Sequence, residues 1–276
     1  MKIQLAKPTG LCFGVKRAIS TIERALSQGQ ALYCIGSPIH NPQEVQRLQR
    51  RGLQVVEDER AVPPGATVFI RAHGVPPSVV QYLSSIGARV IDGTCPFVRH
   101  VQQRAQQLSK EGYHVVVAGD RNHPEVVGIL GYVEGPWSVI SDSTEMEKLG
   151  RIDRIGVVAQ TTQQLEVLNK IVAAALSQSR ETKVFNTICR ATTDRQRAVA
   201  DLATSSDGIV LIGGRNSANT GKLRTIAENA GCPVQWIEEA SQLDASWFEG
   251  KERVGIAAGA STPDWLIEQL YKAIRD

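Results

Sequence analysis

Three times along this chain a short β-branched strand runs into a cysteine that opens a helix, and no other feature of the sequence restricts the fold as tightly. Val90-Ile91-Asp92 leads through Gly93-Thr94 to Cys95, with Pro96 placed for the first helical turn. Ile3-Gln4-Leu5-Ala6 leads through Gly10 to Cys12 and a helix that ends near Gly29; Lys183-Val184-Phe185 leads to Cys189 and a helix that ends near Gly208. Cys34 and Cys232, lying in or beside strands, fall outside this pattern and read as core. Thiols placed alike by three similar segments belong to one site rather than three.

The repeat extends beyond the cysteines. Counting 24 residues on from Cys12, Cys95 and Cys189 lands on Gly36, Gly119 and Gly213. Each closes a strand: Leu32-Tyr33-Cys34-Ile35, Val115-Val116-Val117-Ala118 and Ile209-Val210-Leu211-Ile212. Counting 28 lands on His40, His123 and Ser217, each in a polar loop that opens a helix. Two further strand trios follow. One is Leu53-Gln54-Val55-Val56, Trp137-Ser138-Val139-Ile140 and Val234-Gln235-Trp236-Ile237. The other ends in Ala72-His73-Gly74, Ala159-Gln160-Thr161-Thr162 and Ala258-Gly259-Ala260-Ser261, each followed by an amphipathic helix. One of these helices is predicted from Thr162 to Leu176, with Leu165, Leu168, Ile171, Val172 and Leu176 on one side. Nine strand-to-helix junctions thus fall into three equivalent sets.

Alternating strands and helices predict an α/β fold of three pseudo-threefold-related units, each a small, mostly parallel sheet flanked by helices. The expected units are residues 13–95, 96–188 and 189–276, with residues 1–12 forming a strand that pairs with the first or the third. Ligands of open parallel sheets bind beyond the carboxyl ends of the strands, where all the residues singled out above fall. Three sheets aiming those ends at a common axis would bring the thiols together.

Composition sets looser bounds. An apolar fraction of 42% and a charged fraction of 21% describe an ordinary globular chain. A net charge of +3 is too mild for nucleic acid or an anionic membrane, though it suits an anionic small molecule. Met1-Lys2-Ile3-Gln4-Leu5 lacks the apolar core of a signal peptide, and no run approaches transmembrane length. A cytoplasmic protein is expected. Five cysteines in such a chain point to buried thiols, a metal site or both, not to a disulfide framework.

Each cysteine of the trio sits at a helix N-terminus, where backbone N–H groups favour thiolate. Three converging thiolates suit zinc with a histidine as fourth ligand, or three irons of a 4Fe–4S cube whose fourth iron stays open. The absence of a local Cys-x-x-Cys pair leans towards the cluster. A lone histidine is more often structural or on the surface, and His100 and His114 are read so. His40, His73 and His123, at matching junctions, are not. With Ser217, Asn219 and Ser261 they offer donors beside helix N-termini, an environment for a phosphate group. N-capping competes for the serine and asparagine side chains. Glu125, two residues after His123, suits a general acid beside a metal, or simple pairing with its helix N-terminus. Thr161 and Thr162 suit proton relay or capping.

These residues carry a resemblance. Leu11-Cys12-Phe13-Gly14-Val15-Lys16-Arg17-Ala18, Ala72-His73-Gly74-Val75, Asp92-Gly93-Thr94-Cys95-Pro96 and Gly119-Asp120-Arg121-Asn122-His123-Pro124-Glu125 resemble motifs of the 4-hydroxy-3-methylbut-2-enyl diphosphate reductase family. So do Ala159-Gln160-Thr161-Thr162, Ile188-Cys189-Arg190-Ala191-Thr192-Thr193, Asn216-Ser217-Ala218-Asn219-Thr220 and Gly259-Ala260-Ser261-Thr262-Pro263-Asp264. The matches span nearly the whole chain, in order.

The resemblance implies the last enzyme of the non-mevalonate isoprenoid pathway. In that family Cys12, Cys95 and Cys189 would hold a 4Fe–4S cluster with one iron open to the substrate hydroxyl. Two electrons, delivered by a protein such as ferredoxin or flavodoxin, would remove that hydroxyl as water and give isopentenyl or dimethylallyl diphosphate. Glu125 would deliver the proton, with His123 and Thr161 shaping the hydrogen bonds around the hydroxyl. His40, His73, Ser217, Asn219 and Ser261 match the diphosphate pocket. The chain departs from some members at Ala218, where a serine is common, and at Arg190 and Asp194, near a cluster ligand. A non-redox hydro-lyase with the same cluster, or a phosphate-binding metalloprotein of the same fold, is the alternative.

Overall fold

The computed structural model describes residues 1–29 and 31–275. Among them the strands are β1 (Lys2–Leu5), β2 (Leu32–Ile35), β3 (Leu53–Val56), β4 (Thr67–Ile70), β5 (Arg89–Asp92), β6 (His114–Ala118), β7 (Trp137–Ile140), β8 (Arg154–Ala159), β9 (Glu181–Phe185), β10 (Gly208–Ile212), β11 (Val234–Ile237) and β12 (Arg253–Ala258). The helices are α1 (Phe13–Leu26), α2 (Pro42–Arg50), α3 (Pro77–Ser85), α4 (Pro96–Lys110), α5 (Pro124–Leu130), α6 (Ser143–Glu147), α7 (Leu165–Gln178), α8 (Arg190–Ser205), α9 (Ala218–Asn229) and α10 (Asp264–Arg275).

The strands form three four-stranded sheets, ordered β3-β2-β4-β5, β7-β6-β8-β9 and β11-β10-β12-β1, parallel throughout. One connectivity therefore occurs three times, as the spacing predicts. Its third copy is closed by the N-terminal strand: β1 pairs with β12, Leu5 opposite Ile256.

Backbone hydrogen bonds repeat as faithfully as the strand order. The N–H groups of Gly36, Gly119 and Gly213 donate to the carbonyls of Val56, Ile140 and Ile237 at 2.8, 3.0 and 2.9 Å. Past the third strand of each sheet comes the same turn, closed by Gly74 to Arg71, Gln163 to Gln160 and Thr262 to Gly259, each at about 3 Å. The carbonyl of the second turn residue accepts the cysteine N–H: Cys95 to Ala72 (3.0 Å), Cys189 to Thr161 (3.0 Å) and Cys12 to Ala260 (2.9 Å).

The chain gathers into two compact units. The smaller comprises Met1–Lys16, Ile39–Arg47 and Arg190–Asp276, and contains the sheet β11-β10-β12-β1. The larger comprises Arg17–Pro38 and Leu48–Cys189 and contains the other two sheets. Within each sheet the inner strands are Val- and Ile-rich and buried, as β10 (GIVLI) shows along its whole length. The edge strands β1, β5 and β9 contain no buried residue. In the smaller unit Val199, Leu202, Ile209 and Leu223 pack on one side of the sheet, and Ile212, Ile256, Leu266 and Leu270 form a second cluster. In the larger unit Val101, Leu108, Val115 and Ile129 form one cluster, and Ile155, Leu168 and Ile171 another.

Helix α7 differs from its predicted form. It begins at Leu165, because the Gln160–Gln163 turn occupies the residues before it. Thr161 and Thr162 are thus not its caps; its N-cap is Gln164. Leu168, Ile171 and Ala175 form the buried stripe, while Leu165 and Leu176 are exposed. No helix among the described residues is long and apolar enough to cross a membrane.

Gly93, just ahead of Cys95, is a point of close approach. A Cβ there would lie 2.1 Å from Phe69 Cζ and 2.4 Å from the Ile70 carbonyl oxygen. Phe69 is fully buried and has no room to yield. Gly93→Ala is therefore expected to lower stability by about 1–3 kcal/mol, seen as a lower urea midpoint at unchanged m-value. A midpoint equal to wild type would show that Phe69 can move aside.

Candidate active site

The larger unit brings six of the predicted residues into one connected set. Cys95 is the N-cap of α4, and its N–H is tied to Ala72, the neighbour of His73. The His73 and His123 rings meet edge to face, centroids 5.5 Å apart at 89°. His123 caps α5, its Nδ1 accepting the N–H of Glu125 at 3.1 Å. An accepting Nδ1 puts the ring proton of neutral His123 on Nε2, making that nitrogen the outward donor.

Glu125 is 2% exposed. Its carboxylate reaches across to Thr161. One oxygen accepts the N–H of Thr161 at 2.6 Å and the other accepts the Thr161 hydroxyl at 2.7 Å. The hydroxyl proton is thereby aimed at Glu125, and the lone pairs of Thr161 Oγ1 are left to accept from another group. The carbonyl of the same Thr161 receives the Cys189 N–H, so acid, hydroxyl and thiol are held by one stretch of backbone.

The smaller unit places the rest. Cys12 N–H bonds the Ala260 carbonyl, and the adjacent Ser261 hydroxyl donates to the His40 carbonyl at 2.8 Å. Gly214 lies against that carbonyl: a Cβ would stand 2.6 Å from the oxygen. Ser217 caps α9, accepting the Thr220 N–H at 3.3 Å, so the competing cap role is real. Accepting leaves its hydroxyl proton available to donate. Asn219 is only 4% exposed, yet neither amide atom has a hydrogen-bond partner among the described residues. A buried, unpaired amide costs stability unless something else fills its valences.

The five cysteines divide into two kinds. None of them is in a disulfide. Cys34 and Cys232 belong to apolar clusters; burial pushes the Cys34 thiol up to about 12, and burial, then the Asp207 charge, also raises Cys232. Such thiols are inert. Cys12, Cys95 and Cys189 are partly exposed, each immediately before a helix, and belong to none of the apolar clusters among the described residues. Soft sulfur donors of this kind suit iron–sulfur clusters or zinc.

Two arginines that steady these loops were not singled out from the sequence. In the larger unit Arg17 donates to the Thr94 carbonyl at 3.0 Å; in the smaller, Arg195 donates to the Gly10 carbonyl at 2.8 Å. Each lies in a helix that follows one cysteine and reaches the loop before another, a link that spacing does not encode. Arg190 is turned to solvent, 89% exposed, with Asp194 at 3.5 Å. His100 is exposed, on the surface, and His114 bonds Ser138, a structural contact.

The LytB protein family model matches residues 3–275. The chain belongs to this family. A relative from Geobacter sp. (strain M21), named 4-hydroxy-3-methylbut-2-enyl diphosphate reductase, is 45% identical over 274 residues, covering 99% of this chain and 97% of its own. The structure of the E-1-hydroxy-2-methyl-but-2-enyl-4-diphosphate reductase from Plasmodium falciparum superposes with a TM-score of 0.94 at 26% identity, over 100% of this chain and 88% of that one. A structure of (E)-4-hydroxy-3-methyl-but-2-enyl diphosphate reductase, described as the terminal enzyme of the non-mevalonate pathway, matches with a TM-score of 0.73 at 42% identity, over 100% of this chain and 99% of that one. The family resemblance carried by the motifs thus holds along the whole chain, which is an oxidoreductase of this family.

Proposed function

We propose that this protein converts (E)-4-hydroxy-3-methylbut-2-enyl diphosphate into isopentenyl and dimethylallyl diphosphate. Two electrons and two protons enter, the C4–O bond breaks, a C–H bond forms, and water leaves. The observation that carries the reading is the Glu125–Thr161–Cys189 arrangement, in which the turn residue Thr161 binds a buried carboxylate through its N–H and hydroxyl and the backbone of a cysteine through its carbonyl. Membership of a family whose named relatives are this reductase supports it.

Cys12, Cys95 and Cys189 are the residues that would hold a 4Fe–4S cluster, and their partial exposure outside the apolar clusters suits that role. When bound, a cluster with one open iron supplies the electrons and a Lewis acid for the hydroxyl. The chain's residues do the rest. Thr161 Oγ1 lies between the substrate hydroxyl and Glu125. For water to depart, protonated Glu125 gives its proton to Thr161 Oγ1 as the Thr161 hydroxyl gives its own to the leaving oxygen, the reverse of the hydrogen bond at rest. His123 Nε2, His73 and His40, with Ser217 and Asn219, donate to the diphosphate and so orient the distal carbon, and Ser261 joins them by turning its hydroxyl from the His40 carbonyl to the ligand. The unpaired amide of Asn219 is the strongest sign that a polar ligand completes the pocket. Ala218, the first residue of α9, can offer only its backbone N–H there. Each sheet with its helices serves as one module of the site: residues 13–95, residues 96–188, and residues 189–276 together with the N-terminal strand β1. Electrons come from a cytoplasmic carrier protein such as ferredoxin or flavodoxin, for which a mild positive charge is suitable.

Protein purified without oxygen is expected to be brown, with about four irons and four acid-labile sulfides per chain, and to turn over only when an electron donor is present. A colourless, zinc-loaded protein would end the cluster reading. Turnover without a donor would favour a non-redox hydro-lyase.

A further inference from the structure

Each sheet ends its third strand in the same turn, and the first residue of that turn is Arg71, Gln160 or Gly259. In the larger unit, Arg71 and Gln160 make equivalent packings. Each lies against the glycine that closes the first strand of its sheet: a Cβ on Gly36 would stand 2.4 Å from Arg71 Nη1, and a Cβ on Gly119 would stand 2.9 Å from Gln160 Oε1. The two side chains each leave one buried nitrogen, Arg71 Nε and Gln160 Nε2, without a hydrogen-bond partner; they differ in charge and in what an oxygen can accept. Gln160 Oε1 accepts the Asp120 N–H at 3.1 Å, as a neutral amide can.

Arg71 has no such partner. Arg71 is partly exposed, its Nε is buried without a hydrogen-bond partner, and among the described residues no ion pair to a carboxylate is seen for it. The titratable group beside it is Cys34, a thiol that burial keeps neutral. Burying a cation without a counter-charge is costly. The equivalent position in the next sheet shows that a neutral amide can fill this place. The charge therefore contributes nothing to the fold that glutamine would not.

Position suggests what it does contribute. Arg71 begins the turn that presents His73 and lies at the carboxyl ends of β2 and β4, where ligands of parallel sheets bind. We infer that Arg71 is a further anion-binding residue of the substrate site, a resident cation whose missing counter-ion is the diphosphate group of the bound ligand. This rests on the diphosphate reading above and adds to it a residue that neither histidine nor hydroxyl spacing indicates. Guanidinium pairs strongly with phosphate oxygens and holds its charge at any working pH.

The test compares wild type with Arg71→Gln, the side chain used one sheet further on, and with Arg71→Lys. Binding of inorganic diphosphate to the anaerobically purified holoprotein is followed by calorimetry, alongside thermal unfolding and steady-state kinetics. Arg71→Gln is expected to weaken diphosphate binding by about tenfold or more. It should raise KM more than it lowers kcat, and leave the unfolding temperature of the ligand-free protein unchanged or higher. Arg71→Lys should recover most of the affinity, and the salt dependence of binding should flatten in Arg71→Gln alone. A merely structural arginine would give the reverse: a lower unfolding temperature with diphosphate affinity intact, and that result would overturn the inference. If wild type itself does not bind diphosphate, the substrate reading fails first and this one with it.

Discussion

Glu125→Gln is expected to retain its iron and lose turnover by roughly 10²–10⁴-fold, the range that a positioned general acid contributes. The substitution is nearly isosteric in a site where Glu125 is 2% exposed, so packing changes little. One oxygen remains to accept the Thr161 N–H. The other becomes an NH2 facing Thr161 Oγ1, which must then accept rather than donate. The hydroxyl stays in place, but nothing behind it can release a proton. Single-turnover kinetics with a chemical reductant isolate this step from electron delivery. Wild-type rates in Glu125→Gln would remove the carboxylate from the mechanism. Thr161→Val separates the two partners, since it keeps the acid and deletes only the oxygen that connects it to substrate.

Cys95→Ser is expected to abolish both activity and an intact cluster, because a hard hydroxyl is a poor replacement for soft thiolate at iron. Iron and acid-labile sulfide per chain, read with the visible spectrum, provide the measurement. Cys232→Ala is the control: it deletes a thiol from the apolar cluster of the smaller unit and should leave iron content at the wild-type value. The same loss is expected for Cys12→Ser and Cys189→Ser. Full iron occupancy in any one of the three would show that its thiol is not a ligand.

Much of the site is legible from residue order because the repeat is local. A strand, a turn and a helix N-terminus are each specified within about ten residues, so equal offsets place Gly36, Gly119 and Gly213 alike, and likewise the cysteines. The same locality explains the error in α7. Leucine spacing announces a helix at Thr162, but the Gln160–Gln163 bond holds those residues in a turn and delays the start to Leu165. Ser217 shows the limit from the other side, since capping and ligand donation call for the same residue type.

The amino-acid order alone determined the three-fold strand pattern, the placing of three thiols before three helices, and the family to which the chain belongs. Tertiary structure decided which sheet receives the N-terminal strand, that Glu125 bonds Thr161 across 36 residues, and that Arg71 Nε is buried without a hydrogen-bond partner among the described residues. The reason is physical: hydrophobic period and turn chemistry act over a few residues, whereas a hydrogen bond or an unpaired charge depends on atoms that meet only once the sheets have formed.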